Sequence, residues 1–340
     1  MPELRTIART LWRWLACLAG CIWLMVCGDH AAYAAVHIDH HMHVQAPNIR
    51  AFLPGYCSSP LRRSPCAPDF LDPPTLQALI ADMDAAGVQR GLLLSTGYLA
   101  ESPMVSLPGP QAARLLREAN DFTVALARAR PHRFLAFVGL NPLTPTAREE
   151  IARWHGDPYV SGIKLHLTNS GVDLRDPTHV AAVAEIFRLS ADAGLAIVIH
   201  MRTRAADYGA QDARIFIERI LPLGAGVPVQ IAHAAGWGGT DANTFAALEA
   251  FAEAIEQNPP WRDALYFDLA AVYDDQTPAA DLIHLAALVR RIGPDRFVAG
   301  SDWPFATDLA DYYERRYPLL TLTQREWEII LRNTFVGLPP

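Results

Sequence analysis

The sequence is built from eight short apolar segments that alternate with segments of helical pattern. The apolar segments are rich in Val, Ile, Leu and Phe, and they are too uniformly apolar for a sheet with one face in water. Strand followed by helix, repeated eight times, predicts a (β/α)8 TIM barrel whose parallel strands close on themselves. The alternative, an open doubly wound sheet, usually carries a glycine-rich phosphate loop after its first strand, and this sequence shows none. The predicted strands are VHIDHHMH (36–43), VQRGLLLS (88–95), RFLAFVGL (133–140), SGIKLHL (161–167), LAIVIH (195–200), VPVQIAH (227–233), LYFDLA (265–270) and RFVAGSD (296–302).

Helix start and stop signals flank the segments between these strands. Residues 72–87 carry apolar side chains at helical spacing, and Asp72 is expected to cap a helix that ends before Gly87. The segment after the fourth strand repeats this plan between Asp176 and Gly194.

The first 34 residues have the three parts of a secretory signal peptide. Arginines at positions 5, 9 and 13 precede an apolar run (14–28), and small residues lead to an expected cleavage site after residue 34. The run is shorter than the roughly 20 apolar residues that cross a bilayer, which disfavours a membrane span. A lipoprotein is disfavoured as well, because apolar residues continue beyond the LAGC tetrad at 18–21. Residues 35–340 are therefore expected to form the barrel of a periplasmic or secreted protein.

Two cysteines follow the predicted signal peptide. Cys57 and Cys66 lie nine positions apart in the loop GYCSSPLRRSPCAP, which predicts a local disulfide in an oxidising compartment. A zinc site is the rival interpretation, but it would need two further ligands nearby, and the spacing is not that of a metal knuckle.

Polar residues that suit a metal ion end four of the predicted strands. His41 and His43 end the first strand, His200 the fifth, His233 the sixth and Asp302 the eighth. Active sites of TIM barrels form where the strands end, so these side chains are expected to converge at one mouth. Imidazole nitrogens with one carboxylate suit zinc, manganese, iron or nickel.

The same motifs make the sequence resemble the amidohydrolase superfamily, in particular its branch of aminocarboxymuconate-semialdehyde decarboxylase-like enzymes and metal-dependent lactonases. The similarity runs from Val36 to the segment EWEIILRNTFVGL and rests on IDHHMH, GIKLH, IVIH, IAHAAG and GSDWP. It implies one divalent metal ion, most simply zinc, with manganese, iron and nickel as alternatives. The ligands implied by the resemblance are His41, His43, His200 and Asp302, with His233 beside the metal-bound water. His37 and His40 are expected to pack or to support the ligands.

Lys164, in GIKLH, is the only lysine of the chain, beside 28 arginines. Lysine can lose its proton, act as a compact charge or react with carbon dioxide, which arginine cannot do. In binuclear members of the superfamily a carboxylated lysine on strand 4 bridges two metals, and this alternative stays open. GIKLH is more similar to the mononuclear branch, where the side chain is expected to meet the substrate. A structural ion pair with Asp268 is the third interpretation.

Two more residues are candidates for substrate binding. His166 shares a strand face with Lys164, and Arg202 follows the strand-5 histidine, where a guanidinium can hold a carboxylate through two hydrogen bonds.

These residues predict an exported, metal-dependent hydrolase that attacks a small lactone, ester or amide, which can itself carry a carboxylate. The metal would activate a water molecule, and His233 or Asp302 would accept its proton. The alternative within the same branch is a nonoxidative decarboxylase or hydratase, and a catalytically silent small-molecule-binding barrel is a third reading. The net charge of −7 and the lack of a basic run argue against a nucleic-acid partner, whereas the sequence leaves homo-oligomers open.

Overall fold

Eight parallel strands form one sheet whose spatial order follows the order of the chain, as predicted for a TIM barrel. The structure is a computed structural model, and it describes residues 36–62, 66 and 68–336. The predicted signal peptide lies outside the described residues. Within them, no helix has both the length and the apolarity needed to cross a membrane.

The strands are β1 (Ile38–Met42), β2 (Arg90–Leu94), β3 (Phe134–Leu140), β4 (Val160–His166), β5 (Ala196–His200), β6 (Val229–Ile231), β7 (Leu265–Asp268) and β8 (Phe297–Val298). The α-helices of the described chain are α1 (Pro47–Cys57), α2 (Pro68–Leu71), α3 (Leu76–Ala85), α4 (Gly109–Ala129), α5 (Thr146–Trp154), α6 (Leu167–Ser170), α7 (Pro177–Asp192), α8 (Ala210–Arg219), α9 (Ala242–Glu256), α10 (Ala279–Ile292), α11 (Leu309–Asp311) and α12 (Gln324–Arg332).

The first strand departs from regular alternation. Asp39 is paired with Gly91, and Met42 with Leu93, so three steps along β1 match two steps along β2. This β-bulge places one extra residue in the strand and redirects the side chains around it. Asp39 therefore does not keep a regular alternation with the histidines at 41 and 43. The carboxylate of Asp39 instead accepts hydrogen bonds from the backbone of β1 and from the residues after β8.

One end of the barrel interior is filled by apolar side chains, including two from the C-terminal segment. Phe335 and Val336 pack into a buried cluster with residues of β1, β2, β3 and β5, among them Leu92, Phe137 and Val198. Burial of such side chains contributes roughly 1.5–3 kcal/mol each to stability. The packed interior leaves the opposite end, where the strands finish, for the polar residues.

Helix boundaries follow the sequence signals in one case and depart from them in another. Asp176 caps α7 by accepting a hydrogen bond from the Thr178 backbone, as predicted. Asp72, however, does not cap the helix before β2. Thr75 does so by accepting from the Ala78 backbone, because the helix begins one turn later than its prolines indicated.

Candidate metal centre and active-site cavity

A cavity of about 520 Å³ opens where the strands of the barrel end. This volume lies within the range of pockets that bind small molecules. Seven of the eight predicted metal, catalytic and substrate-binding residues line it, namely His41, His43, Lys164, His166, His200, His233 and Asp302.

His41 and His43 have one ring nitrogen engaged and the other available to a metal. His41 Nδ1 lies 2.9 Å from Asp268 Oδ2, and His43 Nδ1 lies 2.8 Å from the carbonyl oxygen of Leu94. Both oxygens are acceptors, so Nδ1 is the donor in each ring and Nε2 carries a lone pair. Metal-binding histidines are typically oriented by such a bond on the second nitrogen.

Asp302 lies against both of these rings. Its Oδ1 is 3.4 Å from His41 Nε2 and 3.2 Å from His43 Nε2. Burial raises the pKa of Asp302, but the neighbouring histidines outweigh this effect and lower its pKa to about 2. Asp302 is therefore an ionised carboxylate at neutral pH. Its backbone φ of 62° lies in the left-handed region, a strained conformation that is common at functional sites.

His233 completes a group of three potential metal ligands in the described chain. One ligand atom each from His41, His233 and Asp302 lies within 4.8 Å of the others. His233 Nδ1 is 2.7 Å from the carbonyl oxygen of Ala270, which leaves Nε2 for a metal or a proton. Its backbone is left-handed as well, with φ 54°. The structure thus brings together three of the predicted residues, with His233 in a position that suits a ligand as well as a base.

His200 is not part of this group of three. Its ring centroid is 5.3 Å from that of His233, and it stacks on His166 at 3.9 Å with an angle of 14°. Among the described residues, His200 Nδ1 has no hydrogen-bond partner although it is buried. Burial, followed by the charges of neighbouring residues, lowers the pKa of His200 well below 6.5, so the ring is neutral and able to bind a metal. Its role as the fourth ligand stays a prediction.

The donor set fits a divalent metal ion. Three imidazoles with oriented Nε2 atoms surround one ionised carboxylate, and a fourth ring has an orphaned buried nitrogen. Nitrogen donors with a single carboxylate are typical of catalytic zinc, manganese and iron sites.

Lys164 points into the centre of this group. Its side chain is 1% exposed, and its Nζ lies 3.3 Å from His41 Nε2. Burial lowers the pKa of Lys164 to about 8, although Asp268 and Asp302 act in the opposite direction. The predicted structural partner, Asp268, instead accepts hydrogen bonds from other groups. The position of Nζ agrees with a role at the metal or the substrate.

Asp268, at the end of β7, is a functional residue that the sequence reasoning considered only as a partner of Lys164. One of its oxygens accepts from Gln230 Nε2 at 2.5 Å, and the other from the His233 backbone at 2.7 Å. With its bond to His41 Nδ1, the carboxylate fixes two of the histidines at once. The signal that could have found it is the acidic residue that ends LYFD in an otherwise apolar strand.

Arg202 is not among the residues that line the cavity, and its predicted role in substrate binding stays a prediction. Its guanidinium lies 2.7 Å from Asp241 Oδ2 and 3.2 Å from Thr244 Oγ1. Arg204, two residues later, lines the cavity. It also donates to the carbonyl oxygen of Leu61 in the loop before Cys66.

The loop between α1 and α2 forms part of the outer cavity wall. Cys57 and Cys66 are joined by a disulfide in the structure, and Tyr56, Arg62 and Cys66 all line the cavity. Arg62 lies 4.8 Å from the centre of the Tyr56 ring. The predicted cross-link therefore borders the substrate space.

A family model described as Amidohydrolase matches residues 38–333 of the sequence. The chain belongs to the amidohydrolase family. A search of curated proteins returned no match.

Solved structures similar to this amidohydrolase share its fold at low sequence identity. The 5-carboxyvanillate decarboxylase of Sphingomonas paucimobilis has a TM-score of 0.61 at 15% identity, over 88% of this chain and 97% of the other. The enzyme of the same name from Novosphingobium aromaticivorans, in complex with manganese and a nitrobenzoic acid, has a TM-score of 0.59 at 16% identity, over 91% and 96%. A dihydroxybenzoic acid decarboxylase from Polaromonas, with manganese and the inhibitor 2-nitroresorcinol, has 0.55 at 15%, over 87% and 94%. These similarities establish the shared barrel.

Proposed function

We propose that this amidohydrolase is a metal-dependent, nonoxidative decarboxylase of a small aromatic carboxylic acid. This gives preference to the alternative that the sequence left open over the hydrolase that it favoured. The observation that carries the proposal is a cavity with aromatic walls next to the histidine group.

Aromatic side chains face the cavity on several sides. Trp237 lies edge-on to His200 with ring centroids 5.4 Å apart, and Tyr98 lies 5.3 Å from His166. Near the mouth, Phe70 and Phe305 stack at 5.9 Å. Flat rings bind well between aromatic faces and edges, so a benzoate-like molecule suits this space better than a flexible aliphatic ester.

Positive charge in the same cavity suits an acid. The ammonium group of Lys164 lies at the inner end, and the guanidinium groups of Arg62 and Arg204 lie along the lining. Guanidinium groups bind carboxylates through charge-assisted hydrogen bonds. The structural relatives named above support the same substrate class, because their names refer to hydroxylated benzoic acids.

The proposed metal ion is held by His41, His43, His200 and Asp302. Two of the similar structures contain manganese, which makes manganese the first choice, and the zinc expected from the sequence becomes the second. When bound, the divalent ion supplies a positive charge that orients the substrate's oxygens and stabilises electron density left on the ring.

Loss of carbon dioxide requires a proton for the ring carbon that carried it. The Ar–C bond to the carboxylate breaks, its electron pair stays on the ring carbon, and one proton forms the new C–H bond. Asp302, ionised in the structure, can take a proton from the substrate's hydroxyl group and return it to carbon. His233 lies beside it and can hold the proton on Nε2 during this exchange.

Export and an oxidised Cys57–Cys66 pair remain part of the proposal. The disulfide lies at the cavity wall, so an oxidising compartment would preserve the shape of the substrate space.

The direct test is an assay with manganese-loaded protein and a panel of hydroxybenzoic acids. Release of carbon dioxide from at least one of them, lost in a His41→Ala variant, is the expected result. No release from any acid, together with hydrolysis of lactones or esters in a parallel panel, would overturn the proposal.

Hydrolysis is the second candidate, and one observation favours it. His233 and Asp302 lie together at the metal position, where they could also activate a water molecule for attack on a carbonyl group. The parallel panel separates the two reactions.

A further inference from the structure

The first and last strands, β1 and β8, meet at a seam, and both sides of this seam carry proposed metal ligands. β8 comprises only two residues, and in the described chain the continuous ladder of the sheet runs in order from β1 to β8. Within the described residues an isolated bridge joins Met42 to Trp303, and three backbone hydrogen bonds cross the seam, from His40 N to the Ala299 carbonyl oxygen, from His43 N to that of Trp303 and from Asp302 N to that of His41. The geometry of the metal centre therefore depends on this backbone pairing and on the side chains that support it.

Asp39 makes several of these contacts with one side chain. Its Oδ1 accepts from the His41 backbone at 3.0 Å and from the Ser301 backbone at 3.1 Å. Its Oδ2 accepts from the hydroxyl group of Tyr313 at 2.6 Å. The carboxylate is completely buried, so these bonds are not replaced by water.

The atoms that Asp39 holds are adjacent to the ligands. One bond ends on the backbone of His41 itself, and the other on the residue before Asp302. The two proposed ligands are also joined directly, by a backbone hydrogen bond of 2.8 Å from Asp302 N to the His41 carbonyl oxygen. A shift of Asp39 would thus change the separation of His41 Nε2 and Asp302 Oδ1.

We infer that Asp39 and Tyr313 form a positioning pair that sets the distance between His41 and Asp302 across the β1–β8 seam. Tyr313 reaches the seam from the π-helix at 312–316 and is itself packed edge-on against Tyr317 at 4.9 Å. Its hydroxyl group restrains the Asp39 carboxylate, and the carboxylate restrains both strand ends. Neither Asp39 nor Tyr313 lines the cavity.

The test measures manganese binding by the full-length protein rather than activity alone. Tyr313→Phe removes one hydroxyl group and should weaken manganese binding on the order of 10-fold, because partners that orient ligands typically have this effect. Asp39→Ala should weaken it further, whereas Asp39→Asn, which keeps an oxygen acceptor for the two backbone donors, should recover part of the loss. In cobalt-substituted protein, Tyr313→Phe should also change the visible ligand-field spectrum.

Glu150→Gln is the matched control for lost stability. Glu150 is a completely buried carboxylate that accepts from Asn120 and Trp154 outside the barrel, far from the seam residues in sequence. The Glu150→Gln substitution should lower the midpoint of thermal unfolding without changing the manganese affinity or the spectrum of the cobalt-substituted protein. If Tyr313→Phe and Asp39→Ala gave the same pattern as this control, the pair would be merely structural and the inference would be overturned. A parent protein that bound no manganese would instead overturn the proposed function, and this positioning role with it.

Discussion

Replacement of Lys164 by Met is expected to stabilise the metal-free protein and to abolish its activity. The side chain is almost completely buried, and its pKa falls from 10.5 to about 8. This pKa difference of about 2.5 corresponds to a loss of about 3 kcal/mol in the free energy of unfolding, at pH values where the amine is charged in both the folded and the unfolded state. Loss of the 3.3 Å contact with His41 Nε2 offsets about 1 kcal/mol of this gain. The variant should therefore be about 2 kcal/mol more stable at pH 7.

The pH dependence provides an internal check on this reasoning. Because the folded pKa of Lys164 lies below its unfolded value, the unfolded chain binds more protons between pH 8 and 10.5. The stability contribution of Lys164 should rise with pH across that window, and the advantage of the Met variant should shrink accordingly. Urea unfolding of chelator-treated parent and variant, at a series of pH values, measures both effects. A Met variant that is less stable at pH 7, or a stability difference that does not change between pH 8 and 10, would refute the argument.

Three further outcomes follow from the same geometry. Lys164→Arg should retain about one metal ion per chain and chiefly raise KM or lower kcat. If elemental analysis found two metal ions in the parent and fewer in the variant, a carboxylated Lys164 that bridges two metals would be favoured instead. Glu326→Gln should make the stability of the folded protein less dependent on pH at acid pH. A hydrogen bond from Arg290 lowers the pKa of Glu326 to about 2, so the stability that the ionised Glu326 contributes is lost as pH falls from 4.5 toward 2. Thermal unfolding at several pH values would detect this difference. Cys57 and Cys66 should be oxidised to each other in unreduced, exported protein, and mass spectrometry that found two free thiols would contradict the predicted compartment.

The fold and the position of the site could be predicted because they depend on local patterns. Eight apolar segments with intervening helices specify the barrel, and parallel strands bring all their carboxyl ends to one rim. This placed His41, His233 and Asp302 near one another without knowledge of any contact. The resemblance to a known family then assigned them roles that spacing alone left open.

The remaining details depend on contacts between residues far apart in the sequence. The bulge in β1 arises from its pairing with β2, which alternation within one strand does not reveal. The guanidinium of Arg202 pairs with Asp241, from the start of α9. The contact between Asp268 and the His41 ring joins residues 227 positions apart, which no local sequence pattern indicates.

The most direct test of the proposed metal centre is the manganese content of loaded and dialysed protein. Four proteins are compared: the parent, His41→Ala, Asp302→Ala and His40→Ala. His40 is buried beside the ligands, but its Nδ1 lies 2.9 Å from the Ala299 carbonyl oxygen and its ring lies 5.6 Å from that of Phe335. The parent and His40→Ala should each retain about one metal ion per chain, and the other two variants should retain little. Equal metal content in all four proteins, or equal loss in all three variants, would contradict the assignment of His41 and Asp302 as ligands.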